Sequence, residues 1–176
     1  MARATKAEQA KYSELVKLLP WEEKKKKEAE KDYSKYAKDP VGFIEGELGE
    51  KLTEQQKAIA LAVRDEREVN VSAAHGVGKS FLASRLVLWF IYAVNGLAFT
   101  TAPTKRQVEQ ILWGEIRRAI ARHQLPGEKG QTFLRLSEFA RASGFTGRDS
   151  NSFQGLHYEK MLFIEDEACG ISPDID

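Results

Sequence analysis

The sequence predicts an α/β fold with a mainly parallel sheet, and three observations support this prediction. Short apolar segments rich in β-branched residues alternate with longer amphipathic segments after residue 40. The apolar run 161–164 leads directly into acidic residues, which is typical of a buried strand in a parallel sheet. The glycine-containing loop 73–78 stands between a predicted strand and an apolar helix. We therefore expect a three-layer α/β sandwich over residues 41–176.

Residues 1–40 form a separate, charged N-terminal segment in this prediction. They are rich in lysine and glutamate, and helical pieces are expected around 7–19 and 21–38. Residues 24–27 are four consecutive lysines. A solvated helix face is the favoured interpretation of this run, and contact with DNA or a partner is the alternative.

The composition excludes several classes of protein. The chain has 176 residues, of which 42% are hydrophobic, enough for one α/β domain with an appendage. The net charge of +1 excludes a uniformly basic nucleic-acid coat. The only cysteine is Cys169, so no disulfide forms within the chain and a reducing cytoplasm is expected. The most apolar stretch, residues 81–94, contains Ser84 and Arg85 and is too short to span a membrane.

The individual elements follow from caps and from the spacing of apolar residues. Thr53 is a typical N-cap, and apolar residues recur at helical spacing after residue 104. The predicted helices are a short one after Pro40, then 54–65, 80–94 and 104–122. The predicted strands are 69–72, 97–101, 133–136, a short one near Phe145, and a central buried one over 161–164.

The first chemical motif is AAHGVGKS at residues 73–80. It matches the Walker A pattern GxxxxGK[ST] except that Ala73 stands in the first glycine slot. Small residues allow backbone N–H groups to face an anion, and the following helix adds the positive end of its dipole. Lys79 is expected to contact the β- and γ-phosphates of ATP and Ser80 to ligate Mg²⁺. The residues expected to bind ATP here are Ala74, His75, Gly76, Val77, Gly78, Lys79 and Ser80.

The second motif is the Walker B arrangement, an apolar strand that ends in Glu165, Asp166 and Glu167. Asp166 is expected to hold Mg²⁺, and Glu167 to polarise the attacking water as general base. Glu165 makes the assignment ambiguous, but the order Asp-Glu-Ala favours the later pair. The alternative is an ordinary strand that ends in a charged turn. The 87 positions from Lys79 to Asp166 are typical of P-loop ATPases with an inserted strand.

Two further signals are weaker. Gln56, with Gln55 as runner-up, offers an amide that can both donate to and accept from adenine, which would select ATP over GTP. An exposed helix glutamine is the alternative. Thr104, Lys105 and Arg106 follow the second predicted strand, where hydroxyls and basic side chains suit phosphate contacts with DNA. A plain strand–loop–helix connection is the alternative.

Taken together, four blocks resemble the ATPase domain of the terminase large subunit, the motor that packages DNA into phage capsids. The blocks are LTEQQKAI, SAAHGVGKS, FTTAPTKRQVEQILWGEI and GRDSNSFQGLHYEKMLFIEDEACGI. The resemblance covers about residues 41–176 and implies a P-loop fold of the ASCE, helicase-like kind. It also implies roles in phosphate and metal binding for Lys79, Ser80 and Asp166, in hydrolysis for Glu167, and in adenine contact for Gln56.

The resemblance implies partners and a location as well. ATP and Mg²⁺ would be the cofactors, and double-stranded DNA the substrate for translocation. The terminase small subunit, the portal protein and further copies of the chain would be partners in the host cytoplasm, with no membrane involved. The family's C-terminal nuclease is expected to be absent from this chain, and the ATPase domain to be incomplete at its C-terminus. A helicase-superfamily remodelling ATPase, or a nucleotide-binding fragment without turnover alone, are the alternatives.

One position departs from the family pattern. Many terminases carry an arginine in the P-loop near the position of His75, where this chain has histidine. A charge-stabilising arginine in that slot is therefore in doubt. Arg148 is the candidate substitute.

Overall fold

The computed structural model describes residues 31–72, 74, 76–146 and 159–166. The chain divides into two units, residues 1–32 and 33–176. In the first unit only residues 31 and 32 are described, so the helix predicted over 7–19 lies outside the described residues. Of the helix predicted over 21–38, the described part contains a 3₁₀ turn, Ser34–Tyr36.

A five-stranded sheet, in the order β2–β3–β4–β1–β5, forms the centre of the second unit. Its strands are β1 Leu97–Ala102, β2 Glu128–Lys129, β3 Phe133–Arg135, β4 Arg141–Thr146 and β5 Met161–Glu165. β1 pairs in parallel with β4 and β5, with Leu97 opposite Arg141 on one side and Met161 on the other. β2 and β3 extend the sheet with antiparallel pairs. The sheet is mixed with a parallel core, which confirms the prediction of an α/β fold.

Among the described residues after Pro40, four helical segments accompany the sheet, and they confirm the four helices predicted there. They are α1 Pro40–Gly42 with a π turn Phe43–Glu47, α2 Glu54–Asp65, α3 Lys79–Trp89 with a π turn Phe90–Val94, and a π turn Gln107–Leu112 that leads into α4 Trp113–Arg122. The N-cap prediction for Thr53 is confirmed as a capping box. Thr53 Oγ1 accepts from the Gln56 N–H at 3.2 Å, and Gln56 Oε1 accepts from the Thr53 N–H at 3.0 Å.

The core lies between the helices and one face of the sheet. Trp113, on α4, is fully buried, and its indole N–H donates to Thr100 Oγ1 on β1 at 2.9 Å. A side chain at Gly144 of β4 would collide with that indole ring, so the helix packs closely against the strand. α3 contributes a continuous buried stretch from Ser84 to Trp89. These contacts hold α3 and α4 in fixed positions beside the sheet.

Two strand predictions need correction. Residues 69–72 are irregular, because no strand pairs with them among the described residues and an isolated strand leaves its backbone groups without ladder partners. β5 is an edge strand of the described sheet and not a central one. Its Met161 and Phe163 side chains are 49% and 53% exposed. The strands predicted over 97–101 and 133–136 are confirmed, and the short strand near Phe145 has six residues.

Within the part of the chain that the structure describes, every helix is too short or too polar to cross a bilayer.

Candidate phosphate and metal site

The described part of the loop before α3 contains two left-handed glycines, a conformation that anion-binding nests use. Gly76 and Gly78 both adopt the left-handed region, with φ of +84° and +85°, on either side of Val77. Alternation of left-handed and right-handed residues turns successive N–H groups toward a common point. The positive φ of Gly78 favours glycine, whereas the nearest obstacle to a Cβ atom there is the flexible end of the Gln56 side chain, at 2.7 Å.

The N-terminus of α3 reinforces this nest. The helix begins at Lys79, and its N-cap is Gly78, which has no side chain to accept from the first N–H groups. These N–H groups and the helix dipole therefore present positive charge to the loop. The Lys79 ammonium lies over the same loop, where it donates to the Ala74 carbonyl at 3.4 Å. Loop, helix end and lysine together suit a phosphate group.

Ser80 and Asp166, the two predicted metal ligands, are in direct contact. The Ser80 hydroxyl donates to Asp166 Oδ2 at 3.1 Å, although 86 positions separate the two residues. Asp166 follows β5 directly, and its backbone N–H donates to the Thr101 carbonyl at 2.9 Å. This backbone hydrogen bond from Asp166 to Thr101 continues the β1–β5 pairing by one residue. The Asp166 carboxylate therefore lies at the carboxyl edge of the parallel strands.

These groups line a common cleft of about 420 Å³. This volume lies within the range of ligand-binding cavities. One wall comes from the loop and the start of α3, together with Asp166. Residues of the helical segment after β1 also line the cleft. The lining residues are Gly76, Gly78, Lys79, Ser80, Phe81, Gln110, Ile111, Glu115, Arg118 and Asp166.

Glu115 and Arg118 line the cleft but were not predicted to do so from the sequence. Both belong to α4, and the guanidinium of Arg118 donates to Glu115 Oε1. From the sequence alone, charged residues that line a cleft cannot be distinguished from charged residues that face solvent. Their position relative to the loop depends on how α4 packs against α3. No local pattern of residues indicated this position.

A buried ion-pair cluster lies behind Glu115. Arg85, on α3, has a side chain that is 3% exposed and makes a bidentate pair with Glu50 at 2.6 and 2.7 Å. Its third nitrogen lies 3.4 Å from Glu115 Oε2, and its guanidinium stacks 4.1 Å from the Phe81 ring centre. The cluster thus connects one wall of the cleft to the loop before α2.

The electrostatics of this cluster favour the ionised form of Glu50. Burial alone raises the pKa of the Glu50 carboxyl, but hydrogen bonds from Arg85 and His123 outweigh burial, and the pKa falls below its ordinary value. His123 Nε2 lies 3.1 Å from Glu50 Oε1. Glu50 is therefore a charged anchor for Arg85 at neutral pH.

Gln56 lies beside the loop, and its amide is engaged by the protein on both sides. Its oxygen accepts from the Thr53 N–H, and its nitrogen donates to the Val77 carbonyl at 3.4 Å. Contact with adenine would require the amide to leave these partners, so the adenine role stays a prediction. Gln55, the runner-up, is exposed.

The predicted DNA-contact residues are exposed beyond the carboxyl end of β1. Thr104 exchanges hydrogen bonds with Gln107, of which the hydroxyl-to-amide contact is 2.6 Å. Lys105 makes an ion pair with Glu109 at 3.5 Å. Arg106 extends the same basic surface, and its DNA contact stays a prediction. His75, Arg148, Glu167 and Cys169 lie outside the described residues.

Comparison with protein-family models, with curated proteins and with solved structures gives no match.

Proposed function

We propose that this chain binds ATP and Mg²⁺ in the cleft and hydrolyses the nucleotide. The observation that supports this most strongly is the 3.1 Å approach of the Ser80 hydroxyl to the Asp166 carboxylate. Mg²⁺ binds oxygen ligands octahedrally at about 2.1 Å, which places two adjacent ligands about 3.0 Å apart. The two oxygens are therefore spaced as neighbouring ligands of a single Mg²⁺ ion, directly beside the loop that suits phosphate.

The donor set fits a metal that binds together with its nucleotide. Among the described residues, no three His, Cys, Asp or Glu side chains come close enough to enclose an ion by themselves. Mg²⁺ commonly takes one or two protein oxygens and completes its shell with phosphate oxygens and water. When bound, the ion would neutralise charge on the phosphates during phosphoryl transfer.

The chain's own residues would divide the remaining tasks. The N–H groups of the glycine loop and of the α3 terminus hold phosphate oxygens. Lys79 exchanges the Ala74 carbonyl for the β- and γ-phosphates, since an ammonium forms stronger hydrogen bonds with phosphate than with a neutral carbonyl. Glu167 comes directly after Asp166 in the sequence, and we assign it the general base that orients the attacking water.

The motif set as a whole supports a terminase-type motor. In this proposal hydrolysis drives double-stranded DNA into capsids, and Thr104, Lys105 and Arg106 contact the DNA backbone. The chain would work in the host cytoplasm as a homo-oligomer with the terminase small subunit and the portal protein. The complete terminase subunit would also carry an endonuclease. The resemblance of the four sequence blocks is the support for these partners.

Nucleotide titration tests the ATPase proposal. Isothermal titration with Mg²⁺ and ATP should show binding that Lys79→Ala weakens by about 10- to 100-fold, because a charge-assisted contact is lost. Lys129→Ala removes an exposed lysine from β2, outside the cleft, and is the matched control with unchanged affinity. Equal affinity in Lys79→Ala and the unmodified chain would contradict the proposal.

Hydrolysis and translocation need separate measurements. Glu167→Gln should retain ATP affinity while phosphate release falls to background, since the general base is removed. Phosphate release at the unmodified rate would exclude Glu167 as the base. A terminase-type motor should displace a triplex-forming oligonucleotide from duplex DNA without strand separation, whereas strand separation would support the helicase alternative.

A further inference from the structure

We propose that Arg118 is a contact for the terminal phosphate of the nucleotide and that it makes the site prefer ATP to ADP. The inference rests on the proposed function, because it assigns a further residue to the same cleft. Arg118 comes from α4, outside both the Walker A and the Walker B motif.

The position of Arg118 supports this role. It lines the same cleft as Lys79, Ser80 and Asp166 but comes from a different helix. Its side chain is 64% exposed, so a ligand in the cleft can reach the guanidinium. The N–H groups of the loop and of the α3 terminus would hold the phosphates nearest to them, and the guanidinium from α4 would then be available to the outermost phosphate.

The contacts of Glu115 indicate why Arg118 is the group that moves. One oxygen of Glu115 accepts from Arg118, and the other lies 3.4 Å from a nitrogen of Arg85. Arg85 is buried and is itself fixed by the bidentate pair with Glu50. The buried Arg85 therefore holds Glu115 in place. Of the two arginines that pair with Glu115, Arg118 is the one exposed to solvent.

The energetics favour an exchange of partners when a nucleotide binds. Arg118 and Glu115 are three residues apart on α4, and because the Arg118 side chain is 64% exposed, solvent screens their ion pair and its contribution to stability is small. A guanidinium forms two parallel hydrogen bonds with phosphate, and this contact is among the strongest charge-assisted pairs. Transfer of the guanidinium from Glu115 to phosphate is therefore favourable.

The charges of the cleft give a reason for the transfer. Glu115 and Asp166 both present carboxylates to it, and each repels a triphosphate. Lys79 and a bound Mg²⁺ offset part of this repulsion near the loop. The terminal phosphate adds negative charge that ADP does not carry, so a second side-chain cation should matter most for ATP.

Comparison of a triphosphate analogue with ADP tests the inference. Isothermal titration of Arg118→Ala with Mg²⁺ and AMP-PNP, a non-hydrolysable ATP analogue, should show about 10- to 100-fold weaker binding. Binding of Mg²⁺ and ADP should weaken by less than about threefold, since the lost contact is to the terminal phosphate. Arg118→Lys should recover part of the AMP-PNP affinity because it keeps the charge but loses the bidentate geometry.

Arg122→Ala is the matched control. Arg122 lies one turn further along α4, is 67% exposed and pairs with Glu50 at 3.4 Å, but does not line the cleft. The Arg122→Ala variant should bind AMP-PNP and ADP with the affinities of the unmodified chain. The midpoint of urea unfolding should be the same for Arg118→Ala and Arg122→Ala, which separates a lost ligand contact from a damaged fold.

The outcomes distinguish this inference from the proposed function. If Lys79→Ala loses AMP-PNP binding and Arg118→Ala does not, the role of Arg118 is refuted and the ATP site stands. Equal weakening of AMP-PNP and ADP in Arg118→Ala would likewise refute the assignment to the terminal phosphate. If the unmodified chain binds neither nucleotide, both proposals fail.

Discussion

Replacement of Glu50 by glutamine should reduce the free energy of unfolding by about 3–5 kcal/mol, because it removes one charge from a buried ion pair. The side chains of Arg85 and Glu50 are 3% and 9% exposed, so water cannot hydrate a guanidinium that has lost its partner. Two short hydrogen bonds, of 2.6 and 2.7 Å, join the pair in the folded chain. Glutamine retains one acceptor but no charge.

Two contacts of Arg85 survive the substitution and limit its cost. The guanidinium keeps the Ser84 hydroxyl at 2.9 Å and the Glu115 carboxylate at 3.4 Å. The longer distance to Glu115 makes it a weaker partner than Glu50. For a chain of this size, the loss corresponds to a melting temperature lower by about 6–20 °C.

Urea unfolding followed by tryptophan fluorescence measures this loss, because Trp89 and Trp113 are buried in the core. Glu54→Gln is the matched control. Glu54 is 89% exposed and pairs with Lys57 at 3.1 Å, so its replacement should change the free energy by less than about 1 kcal/mol. A loss below about 1 kcal/mol for Glu50→Gln would show that the pair is not the buried anchor described above.

Two further predictions concern acid and the glycine loop. The pKa of Glu50 lies below its ordinary value of 4.5, so its contribution to stability is complete above that pH and is lost as pH falls through the lower folded value. Urea midpoints measured from pH 7 to 3 should therefore decrease once the pH is lower than about 4.5, and the decrease should be less steep in Glu50→Gln. Parallel curves for the two proteins would contradict this. Gly78→Ala should cost about 1–3 kcal/mol and weaken nucleotide binding, because its φ of +85° is strained for alanine. Gly114→Ala, where an added Cβ meets nothing within 4 Å, is the control, and an equal effect in both variants would contradict the strain argument.

The elements that the sequence predicted well are those that depend on local chemistry. Thr53 and Gln56 cap α2 through contacts three residues apart, so a short stretch of sequence contains the whole interaction. β1 was predicted from its own apolar, β-branched residues. The contact of Ser80 with Asp166 was expected for a different reason, because the types and order of residues in the two motifs indicate a shared phosphate and metal site.

The features that the sequence did not predict depend on distant neighbours. Residues 69–72 have the composition of a strand, yet a strand needs partners that a local segment cannot specify. The exposure of Phe163 likewise depends on which strands flank β5 and not on its apolar pattern. Arg85 interrupts an apolar helix, and its partner Glu50 lies 35 positions away, so the sequence shows the charge but not its compensation.

The proposed function depends most on one shared site for phosphate and metal at Ser80 and Asp166. A crystal structure of the chain with Mn²⁺ and AMP-PNP, with anomalous data at the manganese edge, locates the ion without prior assumptions. We expect an anomalous peak about 2.1 Å from the Ser80 hydroxyl, next to the Asp166 carboxylate, with phosphate over the loop at Gly76 and Gly78. A nucleotide bound elsewhere, or a manganese ion remote from both oxygens, would contradict the proposed function.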